Sequence, residues 1–169
     1  LAQPNELVTR IDLNEIMQSV LGDYEVAISE KNAEVEYDSL PVISGIRPQL
    51  GQLFANLVGN SLKFTRENPR IKVSWRAMSG SEAQEQFPAA DLANKYIEIR
   101  FSDNGIGFEQ QYAEKIFSIF QRLNTRDEFA GTGIGLALTK KIVENHSGHI
   151  TAKSELGKGA TFLIYLPYK

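Results

Sequence analysis

Cysteine is absent from all 169 residues, so neither disulfides nor thiolate metal sites hold this chain together, a composition that suits a reducing compartment. No apolar run approaches the roughly 20 residues that a membrane-spanning helix needs, and the N-terminus lacks the charged and apolar regions of a secretory signal. Basic residues are few: 18 Lys and Arg against 21 Asp and Glu leave a formal net charge of -3. They are also scattered, so there is no positive field for wrapping nucleic acid. A Walker-type loop is missing, because no glycine-rich run ends in Gly-Lys-Ser or Gly-Lys-Thr. There is no repeat or low-complexity tract. These absences point to a cytoplasmic domain with no membrane contact of its own. The start at Leu1 rather than Met reads as a piece cut from a longer polypeptide, whose localisation stays open.

With 42% hydrophobic residues, a chain of this length can bury roughly 70% of its unfolded surface in one core. A single domain over 1–169 is expected, with its core over 10–167. Asp12 and Glu15 read as a capping box ahead of one amphipathic helix running through Leu13, Ile16, Met17, Val20, Leu21, Tyr24 and Ile28. Val35–Tyr37 and Pro41–Ser44 read as short strands. Pro48 suits the start of a second helix, closed by Asn68-Pro69. Ile71–Trp75 and Tyr96–Phe101 alternate apolar and polar residues as paired strands do, and the stretch 78–94 between them reads as an exposed connection without function. Ile134–Asn145 is expected as a third long helix stopped by Ser147-Gly148, and Ile150–Lys153 with Thr161–Leu166 as a final hairpin through Gly157-Lys158-Gly159. This mixture predicts an α/β two-layer sandwich, a mixed sheet of about five strands under three helices. A doubly wound nucleotide fold would need its glycine loop just after the first strand, and here the first glycine cluster comes only at Gly105.

Three groups of residues stand out chemically. Asn56, Asn60 and Lys63 share one stripe of the second helix, which is either the lining of a cleft or a solvated edge. Asp103 ends an apolar strand just before Gly105-Ile106-Gly107. There it is either an acceptor on a pocket floor, suited to the exocyclic amine of adenine, or the first residue of an Asp-Asn-Gly turn. Gly131-Thr132-Gly133-Ile134-Gly135-Leu136 precedes a helix, where free amides attract phosphate, and is otherwise a flexible turn. The polar segment 121–131 leading into it, with Arg122, looks like a lid over phosphates. Phe117 and Phe120 read as packing anchors, Trp75 as core, and His146 and His149 as surface or cap residues.

Five segments in fixed order join these groups: Asn56–Phe64, Asp103–Phe108, Ile116–Arg122, Gly131–Leu136 and Gly157–Phe162. Together they resemble the N, G1, F, G2 and G3 boxes of the catalytic and ATP-binding domain of sensor histidine kinases. These are a branch of the Bergerat-fold ATPases that also holds gyrase, Hsp90 and MutL. The resemblance implies ATP and Mg²⁺ as cofactors, with Asn60 giving its carboxamide oxygen to the ion. It implies that Asn56, Lys63 and Arg122 stand nearest the phosphates and that Phe64 flanks adenine. Further nucleotide contacts are implied from Asp103, Gly105, Ile106, Gly107, Gly131, Thr132, Gly133, Ile134, Gly135, Leu136 and Thr161. The implied activity is transfer of the γ-phosphoryl group to a histidine on a separate dimerisation domain, for relay to a response regulator receiver domain. Neither His146 nor His149 lies in the acceptor motif of that family. An ATP hydrolase or clamp of the gyrase and Hsp90 kind resembles its relatives in a glutamate where this chain has Asn56. A serine kinase of the anti-sigma type shares the boxes, and a degenerate module would have lost them.

Overall fold

The computed structural model describes residues 7–118 and 135–169. Strands β2 (Glu34–Tyr37), β4 (Arg70–Ser79), β5 (Lys95–Asp103), β6 (His149–Ser154) and β7 (Ala160–Pro167) form one sheet in the order β2-β4-β5-β7-β6, in which only β2 and β4 run parallel. Helices α1 (Leu13–Asp23), α3 (Arg47–Lys63) and α5 (Gly135–Asn145) cover one face. Their Met17, Leu53, Phe54, Leu57 and Val143 share a core with Ile97, Ile99 and Phe101 of β5, where Phe54 meets Phe101 edge-on at 5.2 Å. The expected two-layer sandwich is present.

Several local expectations are corrected. The first helix is two, because the chain breaks at Tyr24 and resumes as α2 (Glu25–Glu30), which buries no residue fully. Asp12 does cap α1 by accepting from Asn14 N at 2.9 Å, but Glu15 pairs with Arg47 instead of closing the box. Pro48 sits in the first turn of α3 as expected, yet the helix ends at Lys63, before Asn68-Pro69. The side chain of Lys31 reaches the carbonyl of Leu62 and so holds that C-terminus, where a cation suits the helix dipole. A strand without strong alternation, β1 (Val8–Asp12), pairs antiparallel with β3 (Val42–Ile46) in a separate ribbon.

The stretch 78–94 is not a bare connection. Ser79 and Glu82 form a reciprocal capping box that starts α4 (Gly80–Gln86). Ala83, Phe87 and Ala90 then bury against Met78, Tyr96, Leu163 and Tyr165 on the sheet face away from α3, a second core. His149 stacks on Phe87 with ring centroids 5.2 Å apart and is half-buried, so it is not a surface residue. Burial, then Lys140, lowers its pKa, with Glu144 and Glu114 opposing. His146 is a tie rather than a cap. Its Nε2 accepts from Ile46 N at 3.0 Å, and its Nδ1 lies 2.8 Å from Ile142 O, binding the end of α5 to the start of α3. Trp75 is only partly buried and donates to Ser39 O at 2.7 Å.

Candidate nucleotide-binding site

The site is assembled where the end of β5 meets α3 and the turn between β6 and β7. Side chains alternate across a strand, so Ile97, Ile99, Phe101 and Asp103 all face the helix layer. Asp103 therefore points toward α3. Its Oδ1 accepts from Gly105 N at 2.9 Å and Ala160 N at 3.1 Å, and its Oδ2 accepts from the Ser61 hydroxyl at 2.8 Å. Burial raises the pKa of this carboxyl, and the same three donors oppose the rise. The chain does not fold back as a hairpin after Asp103, but the bond from the Gly105 amide to the Asp103 side chain two residues earlier is an Asx turn.

Two glycine loops lock around this carboxylate. Ile106 donates to Phe64 O at 2.9 Å and accepts from Gly157 N at 2.6 Å, which ties the end of α3 to both loops. Gly159 adopts φ +92, and a Cβ there would lie 2.0 Å from Asp103 O. At Gly107, with φ +65, a Cβ would lie 2.4 Å from Glu155 O. Only glycine fits either position without shifting the main chain it meets, that of Asp103 at Gly159 and of Glu155 at Gly107.

On α3, Asn60 and Lys63 are half-buried beside the apolar face. The Asn60 side chain makes no hydrogen bond among the described residues. Lys63 lies 5.3 Å from the centre of the Phe64 ring. Asn56 is already engaged: its Oδ1 accepts from Gln52 at 2.6 Å, and its Nδ2 donates to Gly135 O at 3.2 Å and Thr139 Oγ1 at 3.3 Å. It thus ties α3 to the first turn of α5. Gly135 is exposed and Leu136 packs against the core.

Thr161 faces away from α3. Ser102 and Thr161 pair across β5 and β7 with hydroxyls 3.0 Å apart, on the face opposite Asp103. Ala160, one residue earlier, is the one that meets the carboxylate. A cleft of about 530 Å³ at this end of the sheet is lined by Gln110, Lys153, Ser154, Lys158 and Thr161, and it reaches Asp103 but includes no residue of α3. Phe117 is a buried anchor, edge-on to Phe162 at 6.2 Å. Arg122, Phe120, Gly131, Thr132, Gly133 and Ile134, and with them the lid over 121–131, lie outside the described residues.

Sequence reasoning did not single out Ser61, Thr139 or the Ala160 amide. Ser61 and Thr139 sit among apolar residues in helical stripes, and a main-chain donor leaves no mark on residue identity. All three show only when α3, α5 and β7 are brought together.

A model of the family described as histidine kinase-, DNA gyrase B-, and HSP90-like ATPase matches residues 45–169. The chain belongs to this family. The ATPase domain is 39% identical over 161 residues to the phytochrome-like protein Cph1 of Synechocystis sp., a match covering 95% of this chain and 20% of that protein. It is 31% identical over 169 residues to the sensor protein kinase WalK of Staphylococcus haemolyticus, covering 96% of this chain and 26% of that one. Among solved structures, the catalytic domain of histidine kinase ThkA superposes with a TM-score of 0.73 at 25% identity, covering 95% of this chain and 97% of that one. Full-length ShkA in complex with AMPPNP shares the fold, with a TM-score of 0.77 at 23% identity over 99% of this chain and 32% of its own. The ATPase domain spans about a fifth of the length of the Cph1 relative. Among its described residues, no helix is long and apolar enough to cross a membrane.

Proposed function

We propose that this domain binds Mg·ATP for a two-component sensor histidine kinase and delivers the γ-phosphoryl group to a histidine on a separate dimerisation domain, from which it passes to a response regulator. The observation that carries the reading is Asp103, a half-buried carboxylate held by three donors and facing α3. Ringed by donors, it can only accept, which suits the exocyclic amine of adenine and opposes the keto oxygen of guanine. Asn60 would contribute one oxygen to Mg²⁺. One protein ligand fits an ion that keeps several waters and takes the rest of its shell from phosphates, and no cluster of three or more His, Cys, Asp or Glu stands among the described residues. The ion would neutralise phosphate charge.

The chain's own residues position and exclude. Asn56, fixed by Gln52 and Thr139, is a carboxamide and cannot take a proton from water, which opposes the hydrolase or clamp reading. Lys63 and Arg122 would neutralise phosphate oxygens, and the nucleophile is the imidazole supplied by the partner domain. One of the structural neighbours is the histidine kinase ThkA in complex with the response regulator protein TrrA, and an equivalent partner is proposed here. A cytoplasmic setting and the absence of nucleic-acid or membrane contact belong to the same reading.

The test is transfer from labelled Mg·ATP. The domain alone should stay unlabelled, and adding the acceptor domain of its own parent should give an acid-labile, base-stable phosphohistidine. Stable label on His146 or His149, or transfer to a partner serine, would replace the histidine-kinase reading.

A further inference from the structure

Thr139 shares the buried face of α5 with Ile142 and Val143 and is 0% exposed, the one polar residue there. Its hydroxyl donates to Gly135 O at 2.8 Å, which spends its only proton and leaves it an acceptor toward α3. Asn56 meets it from that side. The Asn56 Nδ2 donates to Gly135 O at 3.2 Å and to Thr139 Oγ1 at 3.3 Å, so both of its amide protons go to α5. Turned over, the carboxamide would set its oxygen against the Gly135 carbonyl oxygen, acceptor against acceptor. Gly135 therefore fixes which way the amide lies, and Thr139 takes the second proton. The exposed Gln52 donates to Oδ1 at 2.6 Å and leaves that oxygen one further lone pair.

What Asn56 has left to offer is one lone pair and no proton. A phosphate oxygen, itself an acceptor, finds no partner in it. A hydrated cation does, because its waters turn their oxygens to the ion and their protons outward. Asn56 also stands one turn before Asn60 on the same stripe of α3, where side chains four apart are neighbours. We propose that Thr139 is a positioning residue: by taking the second amide proton of Asn56 it keeps that side chain a pure acceptor, matched to the water shell of the Mg²⁺ ion rather than to a phosphate. The inference rests on the Mg·ATP reading, with Asn60 as the ion's protein ligand. Without the Thr139 hydroxyl, Gly135 still opposes a turned-over amide, but one Asn56 N–H is unpaired and the side chain is held at one point instead of two.

The experiment is calorimetric titration with ATP, in Mg²⁺ and in chelator, of the wild-type chain, Thr139→Val, Thr139→Ser, Asn56→Ala and the variant carrying both Thr139→Val and Asn56→Ala. Valine has nearly the outline of threonine and no hydroxyl. Thr139→Val should weaken ATP binding in Mg²⁺ by roughly fivefold and leave binding in chelator unchanged, and Thr139→Ser, which keeps the hydroxyl, should restore it. In the Asn56→Ala background Thr139→Val should cost nothing further, because its effect runs through Asn56. Equal losses with and without the ion, or losses that add in the double variant, would make Thr139 a packing residue between α3 and α5. Either would overturn the inference and leave the Mg·ATP reading standing. A wild type that binds ATP alike in Mg²⁺ and in chelator would overturn that reading, and the inference with it. A further measurement needs no substitution: in the nucleotide-free wild type both side-chain amide protons of Asn56 should be protected from solvent exchange, and one of them in fast exchange would contradict the proposal.

Discussion

The two faces of β5 do opposite things with carboxylates. On the helix side Asp103 is held by neutral donors, and burial leaves its pKa above the ordinary carboxylate value. On the far side Glu98, 2% exposed, lies between Arg76 at 3.2 Å and Arg100 at 2.9 Å. Burial again raises its pKa, but Arg100, Tyr165 and Arg76 outweigh that and the net shift is downward. The Tyr165 hydroxyl is buried beside this group, and burial followed by its interaction with Glu98 holds its proton tightly. A charge neutralised by fixed cations serves the fold. A charge surrounded by donors and short of a cation is left for a ligand to complete.

The largest effect that separates the faces is expected from Phe87→Ala. It opens a hole among Met78, Tyr96 and Tyr165 and should cost about 3 to 5 kcal/mol of unfolding free energy, while ATP affinity of the folded protein stays unchanged. Denaturant unfolding and calorimetry measure the two, and a parallel loss of ATP binding would show that the second core supports the site. Glu98→Gln should cost roughly 1 to 3 kcal/mol at pH 7, because two arginines lose a charged acceptor. A lowered folded pKa means stability that is present above the unfolded value and lost as pH falls through the folded one, so acid melts of this variant should be flatter than the wild type below about pH 4.5. Asp103 has the opposite sign: its raised pKa is a cost at neutral pH that is relieved on acidification. Asp103→Asn should therefore leave the melting temperature unchanged or slightly raised at pH 7 yet weaken ATP binding by about 1 to 3 kcal/mol.

Smaller effects sharpen the comparison within the site and across the sheet. Asn60→Ala should remove most of the Mg²⁺ dependence of ATP binding, about 1 kcal/mol, and leave ADP without metal unaffected. Titrations with and without chelator separate these, and an equal loss for every ligand would assign Asn60 to the fold. Thr161→Val should be the mildest. It breaks the Ser102 hydroxyl pair at a cost below about 1 kcal/mol, and ATP affinity should not move, since the residue lies on the far face.

The helix side of this comparison was legible in the sequence and the far side was not. Ile97, Ile99, Phe101 and Asp103 alternate without interruption, so the strand, its buried face and the carboxylate at its end follow from period two. The stretch 78–94 is rich in Ala, Glu, Gln and Ser, and although Ala83, Phe87 and Ala90 stand at i, i+4, i+7, a stripe with two alanines and one aromatic carries too little apolar signal to read as buried. Thr161 takes the far face because the one-residue register of β7 decides which way a side chain points, whereas a motif match transfers only an interval. The break at Tyr24 and strand β1 were hidden for a related reason. Tyr24 continues the apolar stripe although the backbone turns, and β1 gains its strand character from pairing with β3, whose partner residues lie 30 to 38 positions later.

The central claim is that Asp103 reads the base from the helix side of β5, and titration of the wild-type chain with Mg·ATP and Mg·GTP tests it most directly. ATP should bind with GTP weaker by at least roughly tenfold, the discrimination expected when a buried acceptor faces a keto oxygen instead of an amine. Equal affinities for the two nucleotides would contradict it.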